Sequence, residues 1–533
     1  MATITAPVTG KRKRQNVPGK ASISKKPATE PAVNGKKKSA AARVDAKVAQ
    51  VGPDGAGVPS KPIAVAVSAP QDDGPLFLQI VTGSYERTLH GISASVPRHL
   101  LQTAPDVEDP AAAPDVTFSD TFLFAAHSSS IRCLAVSPPT EADKRFLATG
   151  GSDERINVYS VSTAPPKADG KAALPSLTAN AVTENPRNRS LGSLIHHDRA
   201  ITRLDFPAKG KLFSAAEDNT IAISRTRDWT VLSSIKAPIP KAQGRPSGDT
   251  AAPGETPAGV NDFAIHPSQK LMLSVGRGER SLRLWNLMTG KKAGVLNFDR
   301  NLLVQVGESK YSSGEGRRVL WTTDGEAYIV GFERGAAVFG IDSKPKAIIR
   351  PSPSTKLHQS RVLRMGGEDG SEVFAASTED GRVLFFGLDV SQQSEETNKL
   401  PLCACLAQLG GQAAGISGRI KDFEILRLKT AGAKPGFVLL IITASSDGAV
   451  RLWSMPDAFD AVDSVTADEK VNVAEGAPKQ VGSLIATLET GSRITCLGAF
   501  VLDGKASEDA ANGQDDAATG ADEGDERLSS EED

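Results

Sequence analysis

A histidine, a serine and an aspartate stand at spacings that could build a catalytic triad, namely His197, Ser214 and Asp218. In such a triad the carboxylate orients the imidazole, which takes the hydroxyl proton so that the oxygen can attack. Residues of the same kind return at a second place in the chain, as His127, Thr149 and Asp153. A nucleophile is needed once, whereas a packing network is needed in every repeat. The recurrence therefore favours a structural role and predicts no catalytic residue.

Other reactive side chains do not complete a site either. Cys403 and Cys405 have the spacing of a ligand pair, but no second cysteine or histidine cluster completes a zinc site. His196 and His197 are adjacent at a strand edge, where neighbouring side chains should point apart. No phosphate-binding loop of the form G-x-x-x-x-G-K-S/T occurs. We expect no metal, no cofactor and no enzymatic activity.

One sequence motif recurs along the chain, and the strands and turns that it forms must position these residues. An apolar strand runs into a small-residue turn with an aspartate, and an apolar residue that opens a second strand follows three positions later. Four copies share this register, with their aspartates at Asp153, Asp218, Asp380 and Asp447. A fifth copy ends at Trp285 without an aspartate, a worn sixth starts at Glu326, and a degraded seventh starts at Leu76. Single hairpins are marginal, so repeated ones are expected to stack against each other.

Each copy except the one at Leu76 is preceded by an apolar strand. The missing strand stands at the other end, from Arg493 to Phe500. If it joins the first sheet, the ring closes and no inner edge stays open. The pattern predicts an all-β fold of seven four-stranded blades over residues 76–503, closed by a C-terminal strand that joins the N-terminal blade.

These residues resemble the WD40-repeat family, which implies a seven-bladed β-propeller. In that family a histidine, a serine or threonine, the turn aspartate and a tryptophan form a buried hydrogen-bond set. Carried over by position, the resemblance implies a structural network of His127, Thr149, Asp153 and Tyr159 in one blade, and of His197, Ser214 and Asp218 in the next. His358 and Asp380 match partly, Thr443, Asp447 and Trp453 match without a histidine, and Trp285 ends another copy.

The order of phrases also resembles one WD40 subfamily, the p21-activated-kinase-interacting or maintenance-of-killer family of nucleolar large-subunit ribosome assembly factors. The resemblance implies a non-enzymatic scaffold of the pre-60S ribosomal particle in the nucleolus and nucleus. The implied partners are ribosomal-protein-like assembly factors and pre-ribosomal RNA, with the chain as a monomer in a larger assembly. The family name keeps a second function open, an adaptor that binds and negatively regulates a p21-activated protein kinase. A substrate receptor of a ubiquitin ligase has only the generic propeller in its favour.

Two oppositely charged tails flank the predicted propeller. Residues 1–75 are predicted to be a disordered basic tail and linker, since its first 50 residues hold twelve Lys or Arg against two acids. Its run Lys11, Arg12, Lys13 and Arg14 is a predicted nuclear localisation signal, and an arm that contacts RNA phosphates is the alternative interpretation of this basic tail. Residues 504–533 are a predicted disordered acidic tail, in which Ser529 and Ser530 suit an acidophilic kinase. The longest apolar run has six residues where a membrane span needs roughly twenty, so we expect no membrane association.

Five insertions interrupt the repeats. Four of them fall between the predicted third and fourth strands of a blade, at residues 101–115, 161–190, 391–400 and 457–480. They should decorate one face of the disc, because these connections all lie on that side of a propeller. Residues 237–258 should extend from the other face. The less decorated face is the predicted docking surface, with tolerated surface loops as the alternative interpretation of the insertions.

Overall fold

The computed structural model describes residues 74–503 with several gaps. The gaps are residues 103–115, 141–142, 166–184, 186, 241–257, 310, 366–369, 390–398, 417, 431–435 and 456–477. The predicted tails therefore lie outside the described residues, except for Gly74 and Pro75. Within the described ranges, no helix combines the length and apolar composition needed to cross a bilayer.

Seven β-sheets, the blades, form the described structure. Blade 1 contains β1 (Leu76–Ser84), β2 (Thr88–Val96) and β3 (Thr117–Ala125). Blade 2 contains β4 (Ile131–Val136), β5 (Lys144–Gly151), β6 (Ile156–Ser162) and β7 (Arg189–Leu194). Blade 3 contains β8 (Ile201–Ala208), β9 (Lys211–Ala216), β10 (Thr220–Arg225) and β11 (Val231–Lys236). Blade 4 contains β12 (Val260–Ile265), β13 (Leu271–Gly276), β14 (Ser281–Asn286) and β15 (Lys291–Asn297).

The remaining blades repeat this order. Blade 5 contains β16 (Arg318–Trp321), β17 (Ala327–Gly331), β18 (Ala336–Gly340) and β19 (Pro345–Ile349). Blade 6 contains β20 (Leu357–Arg364), β21 (Glu372–Thr378), β22 (Arg382–Gly387), β23 (Cys405–Gly410) and the short β27 (Lys479–Gln480). Blade 7 contains β24 (Ile420–Thr430), β25 (Gly436–Ser445), β26 (Ala449–Met455) and β28 (Ser483–Glu489). Helical segments are α1 (His99–Gln102), α2 (Arg300–Val306) and a 3-10 turn at Gln412–Ala414.

The last strand, β29 (Ile494–Val501), closes the ring. It pairs antiparallel with β1, with Leu78 opposite Val501 and Gly83 opposite Cys496, and it is the inner strand of blade 1. Gly83 is required by this closure, because a Cβ there would lie 2.7 Å from Cys496 Sγ. The predicted seven-bladed propeller with a C-terminal closing strand is confirmed.

The recurring turns need a left-handed residue directly after the aspartate. That position has positive φ in all four copies that carry the aspartate, at Glu154, Asn219, Gly381 and Gly448. Tight turns between strands favour Asn or Gly at such positions, since neither suffers a large Cβ penalty there. The Asp-Gly and Asp-Asn pairs of the sequence are thus explained by backbone geometry.

The hydrophobic core is divided among the joints of the ring. Seven buried clusters are found among the described residues, and each joins two neighbouring blades. The cluster between blades 7 and 1, for example, packs Leu440 and Ile442 with Ile80 and Ile92. Each blade is therefore buried by its neighbours, and the ring as a whole holds the fold together.

Some long connections between third and fourth strands reach back to the preceding blade. In blade 6 this connection places Leu402 in a parallel bridge with Ile348, on the outer strand of blade 5. In blade 7 it supplies β27, which pairs in parallel with the outer strand β23 of blade 6. In blade 1 it supplies α1, whose Leu100 and Leu101 join the core with blade 7. These segments are clasps between adjacent blades.

Candidate functional site

The predicted network of blade 2 is assembled in the structure. His127 Nδ1 lies 2.9 Å from the carboxylate of Asp153, and its Nε2 lies 2.9 Å from Thr149 Oγ1. Burial alone would raise the pKa of Asp153, but hydrogen bonds from Ser128 and His127 outweigh it and lower the pKa. Burial raises the pKa of the phenol of Tyr159, the fourth predicted member.

Blade 3 holds the same arrangement with the geometry of a triad. His197 Nδ1 lies 3.0 Å from Asp218 Oδ2, and its Nε2 lies 2.8 Å from Ser214 Oγ. Ser214 is 1% exposed, so its hydroxyl has no access to a substrate. Burial alone would raise the pKa of Asp218, but hydrogen bonds from His197 and Thr220 outweigh burial and lower the pKa. The recurrence of this set of residues and the burial of its serine both indicate a structural role, in which hydrogen bonds connect the aspartate turn to the neighbouring strand.

The histidine pair at the entrance to blade 3 differs from expectation. The rings of His196 and His197 do not point apart; their centroids lie 4.6 Å from each other. Both Nε2 atoms reach Ser214 Oγ, at 3.1 and 2.8 Å. The prediction was wrong because these residues lie in the connection before β8, where strand alternation does not apply. Among the described residues, no group of three potential ligands surrounds a metal position.

Blade 6 does not assemble its partial set. Asp380 pairs with Arg382 at 2.6 Å and with the Thr378 hydroxyl. His358 Nε2 is buried without a hydrogen-bond partner among the described residues. The reason is register, because β20 begins at Leu357 and His358 lies within the strand at a bulge. The expected contact between His358 and Asp380 is corrected accordingly.

In blades 4 and 7 the buried hydrogen bond is formed by a tryptophan. Trp285 Nε1 donates to Ser274 Oγ at 2.8 Å, and Trp453 Nε1 donates to Thr443 Oγ1 at 3.1 Å. The side chain of Asp447 is 43% exposed and accepts from the backbone N–H of Ala449, which fixes the turn. The predicted members of these blades thus act in pairs, without a complete set.

Buried carboxylates on two inner strands were missed by the sequence analysis. Asp262 of blade 4 accepts from the backbone N–H of Val319 in blade 5 at 3.0 Å. Asp422 of blade 7 accepts from the backbone N–H of Leu497 in the closing strand at 2.9 Å. Each carboxylate therefore fastens its blade to the next one. The signal was an Asp-Phe pair at the same place in both inner strands.

Arginines surround these carboxylates on the inner strands. Arg361 lies 3.5 Å from Asp422 and 3.2 Å from Glu424. Arg203 Nε and Asp262 Oδ1 lie 3.3 Å apart, close enough for charge attraction but not aligned for a hydrogen bond. Burial raises the pKa of Glu424, against the opposing charge of Arg361. The inner strands thus carry an ionic network that joins neighbouring blades.

The cysteine pair also lies in a structural setting. Cys403 is buried and Cys405 is half-buried. Burial raises the pKa of the two thiols to about 12 and about 11, so both are protonated at neutral pH. A protonated thiol is a poor nucleophile and a poor metal ligand.

His358 gives the stability of the protein a testable pH dependence. Burial first, then nearby Lys421, lowers its pKa from 6.5 to about 4. Between these values the unfolded chain binds a proton that the folded chain does not, so stability falls as the pH falls. We expect His358→Asn to reduce this loss by up to about 1 kcal/mol, allowing for partial solvent exposure.

Urea unfolding of both proteins at about pH 7 and about pH 5 measures the effect. Burial also lowers the pKa of His196 to about 4, and this residue is unchanged in the variant. Part of the pH dependence of the stability should therefore remain. Equal losses in the two proteins would contradict the assignment to His358.

The two faces of the disc differ in their connections. We call the side that carries the first-to-second and third-to-fourth strand turns the insertion face. The opposite side, with the aspartate turns and the blade-to-blade connections, is the aspartate face. The strand order places the ends of all four predicted insertions on the insertion face, and those of residues 237–258 on the aspartate face.

Comparisons with known proteins agree with this architecture. The model of the WD domain, G-beta repeat, matches residues 118–160 and 188–223. The chain is 25% identical over 424 residues to p21-activated protein kinase-interacting protein 1-like of Danio rerio, covering 79% of this chain and 80% of that protein. It is 26% identical over 404 residues to Protein MAK11 of Saccharomyces cerevisiae, covering 71% and 78%. Shk1 kinase-binding protein 15 of Schizosaccharomyces pombe is 24% identical over 309 residues, covering 58% and 68%. The repeat match, the seven-bladed ring and these relatives together show a WD40-repeat β-propeller that is similar to the p21-activated protein kinase-interacting proteins and to MAK11.

Proposed function

We propose that the chain is a non-enzymatic scaffold in the assembly of the large ribosomal subunit, located in the nucleolus and nucleus. The observation that carries the proposal is the likeness to MAK11 over most of the propeller, together with the order of repeats described above. The fold alone does not give function. The basic run Lys11 to Arg14 supports nuclear import, although it lies outside the described residues.

The aspartate face is the proposed docking surface for a ribosomal-protein-like factor. Its turns are rigid, because the networks of His127 and His197 and the bonds within the aspartate turns fix them. Rigid loops on a stable frame lose little conformational entropy when a partner binds. The ends of four insertions lie on the other face.

Purification of the tagged chain from cells tests the proposal. We expect large-subunit precursor RNA and assembly factors to co-purify with the chain, and fluorescence of the tagged chain to mark the nucleolus. Replacing Lys11, Arg12, Lys13 and Arg14 by alanine should shift the protein towards the cytoplasm and reduce the precursor RNA recovered. A purified sample without large-subunit precursors would refute the ribosomal function. Unchanged nucleolar staining of the alanine variant would remove only the role of the basic run.

A second function, kinase regulation, is favoured by the names of several relatives. These are named as p21-activated protein kinase-interacting or kinase-binding proteins. As an adaptor, the chain would bind a p21-activated protein kinase and lower its activity. The same purification separates the two functions, since an adaptor predicts a stoichiometric kinase and little nuclear signal.

A further inference from the structure

One sector of the insertion face is strongly basic. Seven exposed cations stand on or beside four turns of blades 3 and 4, namely Lys209, Lys211, Arg225, Arg227, Lys270, Lys291 and Lys292. We call this set the basic sector. Its turns contain one acid, Asp228, which is paired with Arg225 at 3.3 Å. The sector therefore carries a large positive excess, although the whole chain has a net charge of −1.

The connections of blades 3 and 4 on the insertion face are also short. In blades 1, 2, 6 and 7 the connection between the third and fourth strands is a long insertion. In blades 3 and 4 it spans only residues 226–230 and 287–290. The positive excess ends at blade 5, whose turns on this face carry Asp324, Glu326 and Asp342 against Lys344, which is paired with Asp342 at 3.3 Å. The positive surface thus has a defined border towards blade 5, and the connections of its own two blades are short.

Hydrogen bonds hold the basic turns in one frame. Thr226 ties the two turns of blade 3 together, because its hydroxyl donates to the Lys209 carbonyl at 2.7 Å and its N–H donates to the Gly210 carbonyl at 3.1 Å. In blade 4 the N–H of Leu287 donates to the Lys270 carbonyl at 2.8 Å. A shared core that includes Phe213 and Trp285 joins the two blades. The cations are therefore presented together by a rigid surface.

We propose that the basic sector binds the phosphate backbone of RNA. Phosphates repeat along a strand, and spread cations on short turns can contact several of them at once. Trp229, the aromatic residue of these turns, is half-buried and contacts Phe146 edge-on at 5.3 Å. The sector hence offers charge without a stacking platform, which predicts binding that is sensitive to salt and independent of sequence. The identity of the RNA as pre-ribosomal rests on the proposed function.

An acidic protein segment is the competing partner and is less favoured. Peptides dock by placing apolar anchors in pockets, with charges around them. The exposed apolar side chains on or beside these turns are Met288, which is 76% exposed, and Val231, which is 44% exposed, so both are solvated. Charge alone is enough for a polyphosphate chain, whereas a stable peptide complex needs such anchors.

The test uses the purified full-length chain and a single-stranded oligouridylate of about 20 nucleotides in about 0.1 M salt. The charge-reversed variant carries Lys211→Glu, Arg227→Glu and Lys291→Glu. The matched control makes the same change in net charge on the aspartate face, where Arg155, Arg199 and Arg300 are exposed. It carries Arg155→Glu, Arg199→Glu and Arg300→Glu. Thermal melts of all three proteins establish that folding is unchanged.

We expect the sector variant to raise the Kd for the oligouridylate roughly tenfold or more, and the control to change it less than about twofold. The slope of log K against log salt should fall by about 2, since about 0.7 is lost per contact with single strands. Equal losses in both variants, or no loss in the sector variant, would overturn the proposal. An oligoglutamate of the same charge that binds the sector as tightly would also overturn it, in favour of an acidic protein.

The ribosomal function can fail independently of this surface. Binding of the oligouridylate through the basic sector by a chain that co-purifies no large-subunit precursor in cells would leave the surface standing and refute the pre-ribosomal identity of its RNA. Co-purification of precursor without any effect of the sector variant in solution would do the reverse.

Discussion

Replacing Asp422 by alanine is expected to lower the free energy of unfolding by about 3 kcal/mol. Asp422 is 5% exposed and lies at the joint between blade 7 and the closing strand. Its carboxylate accepts from the Leu497 N–H at 2.9 Å and pairs with Arg361 at 3.5 Å. Removing it leaves a buried donor without a partner and removes one of the two carboxylates that face Arg361. Either loss is costly in an interior of low polarity.

Urea unfolding followed by tryptophan fluorescence measures this loss. Asp422→Asn should be intermediate, because the amide oxygen still accepts from Leu497 but carries no charge. Asp447→Ala in the same blade is the matched control, and it should cost less than about 1 kcal/mol because its side chain is 43% exposed. Hydrogen exchange at the Leu497 amide locates the effect at the closing strand. An Asp422→Ala protein as stable as the Asp447→Ala protein would show that the ring is closed by other contacts.

Replacing Trp453 by alanine is expected to be at least as damaging, at about 3–5 kcal/mol. Trp453 is 2% exposed and belongs to the core between blades 6 and 7. Truncation leaves a cavity lined by residues of two blades, which neither blade can collapse alone. It also leaves the Thr443 hydroxyl without the indole N–H, which lies at 3.1 Å.

Phenylalanine at the same position separates the two contributions. Trp453→Phe keeps most of the ring volume and loses the hydrogen bond, so a loss of about 1–2 kcal/mol is expected. Calorimetric and urea unfolding of the three proteins give the comparison. Equal losses in the phenylalanine and alanine variants would assign the stability to the hydrogen bond, against the packing argument.

The repeat pattern was sufficient to predict the architecture, and the reason is local. An aspartate, a left-handed residue and an apolar strand form a unit that can be recognised within a dozen residues. Copies at Asp153, Asp218, Asp380 and Asp447 all form the same turn. The closing strand could be predicted by elimination, because blade 1 lacked an inner strand and the strand Ile494–Val501 had no blade of its own.

Features that depend on neighbouring blades could not be predicted in the same way. The position of His358 depends on a bulge in β20, and no local sequence pattern indicates this bulge. The partner of Asp422 is 75 residues away in sequence, at Leu497, and the contact exists only once the ring is closed. The clasp at Leu402 likewise depends on where the outer strand of blade 5 lies. Contacts of this kind are set by three-dimensional assembly, not by spacing.

Because of the closing strand, the first blade cannot complete its folding until almost the whole chain of the propeller has been synthesised. Thr495 donates to the Gly83 carbonyl across a separation of 412 residues, so blade 1 lacks its inner strand until nearly the whole propeller has been translated. At about 5–20 residues per second, that interval lasts roughly 20–80 s. During this time the inner edge of β1 presents unpaired backbone groups that can recruit other strands. A nascent chain of this protein therefore needs protection at its first blade for longer than at any other.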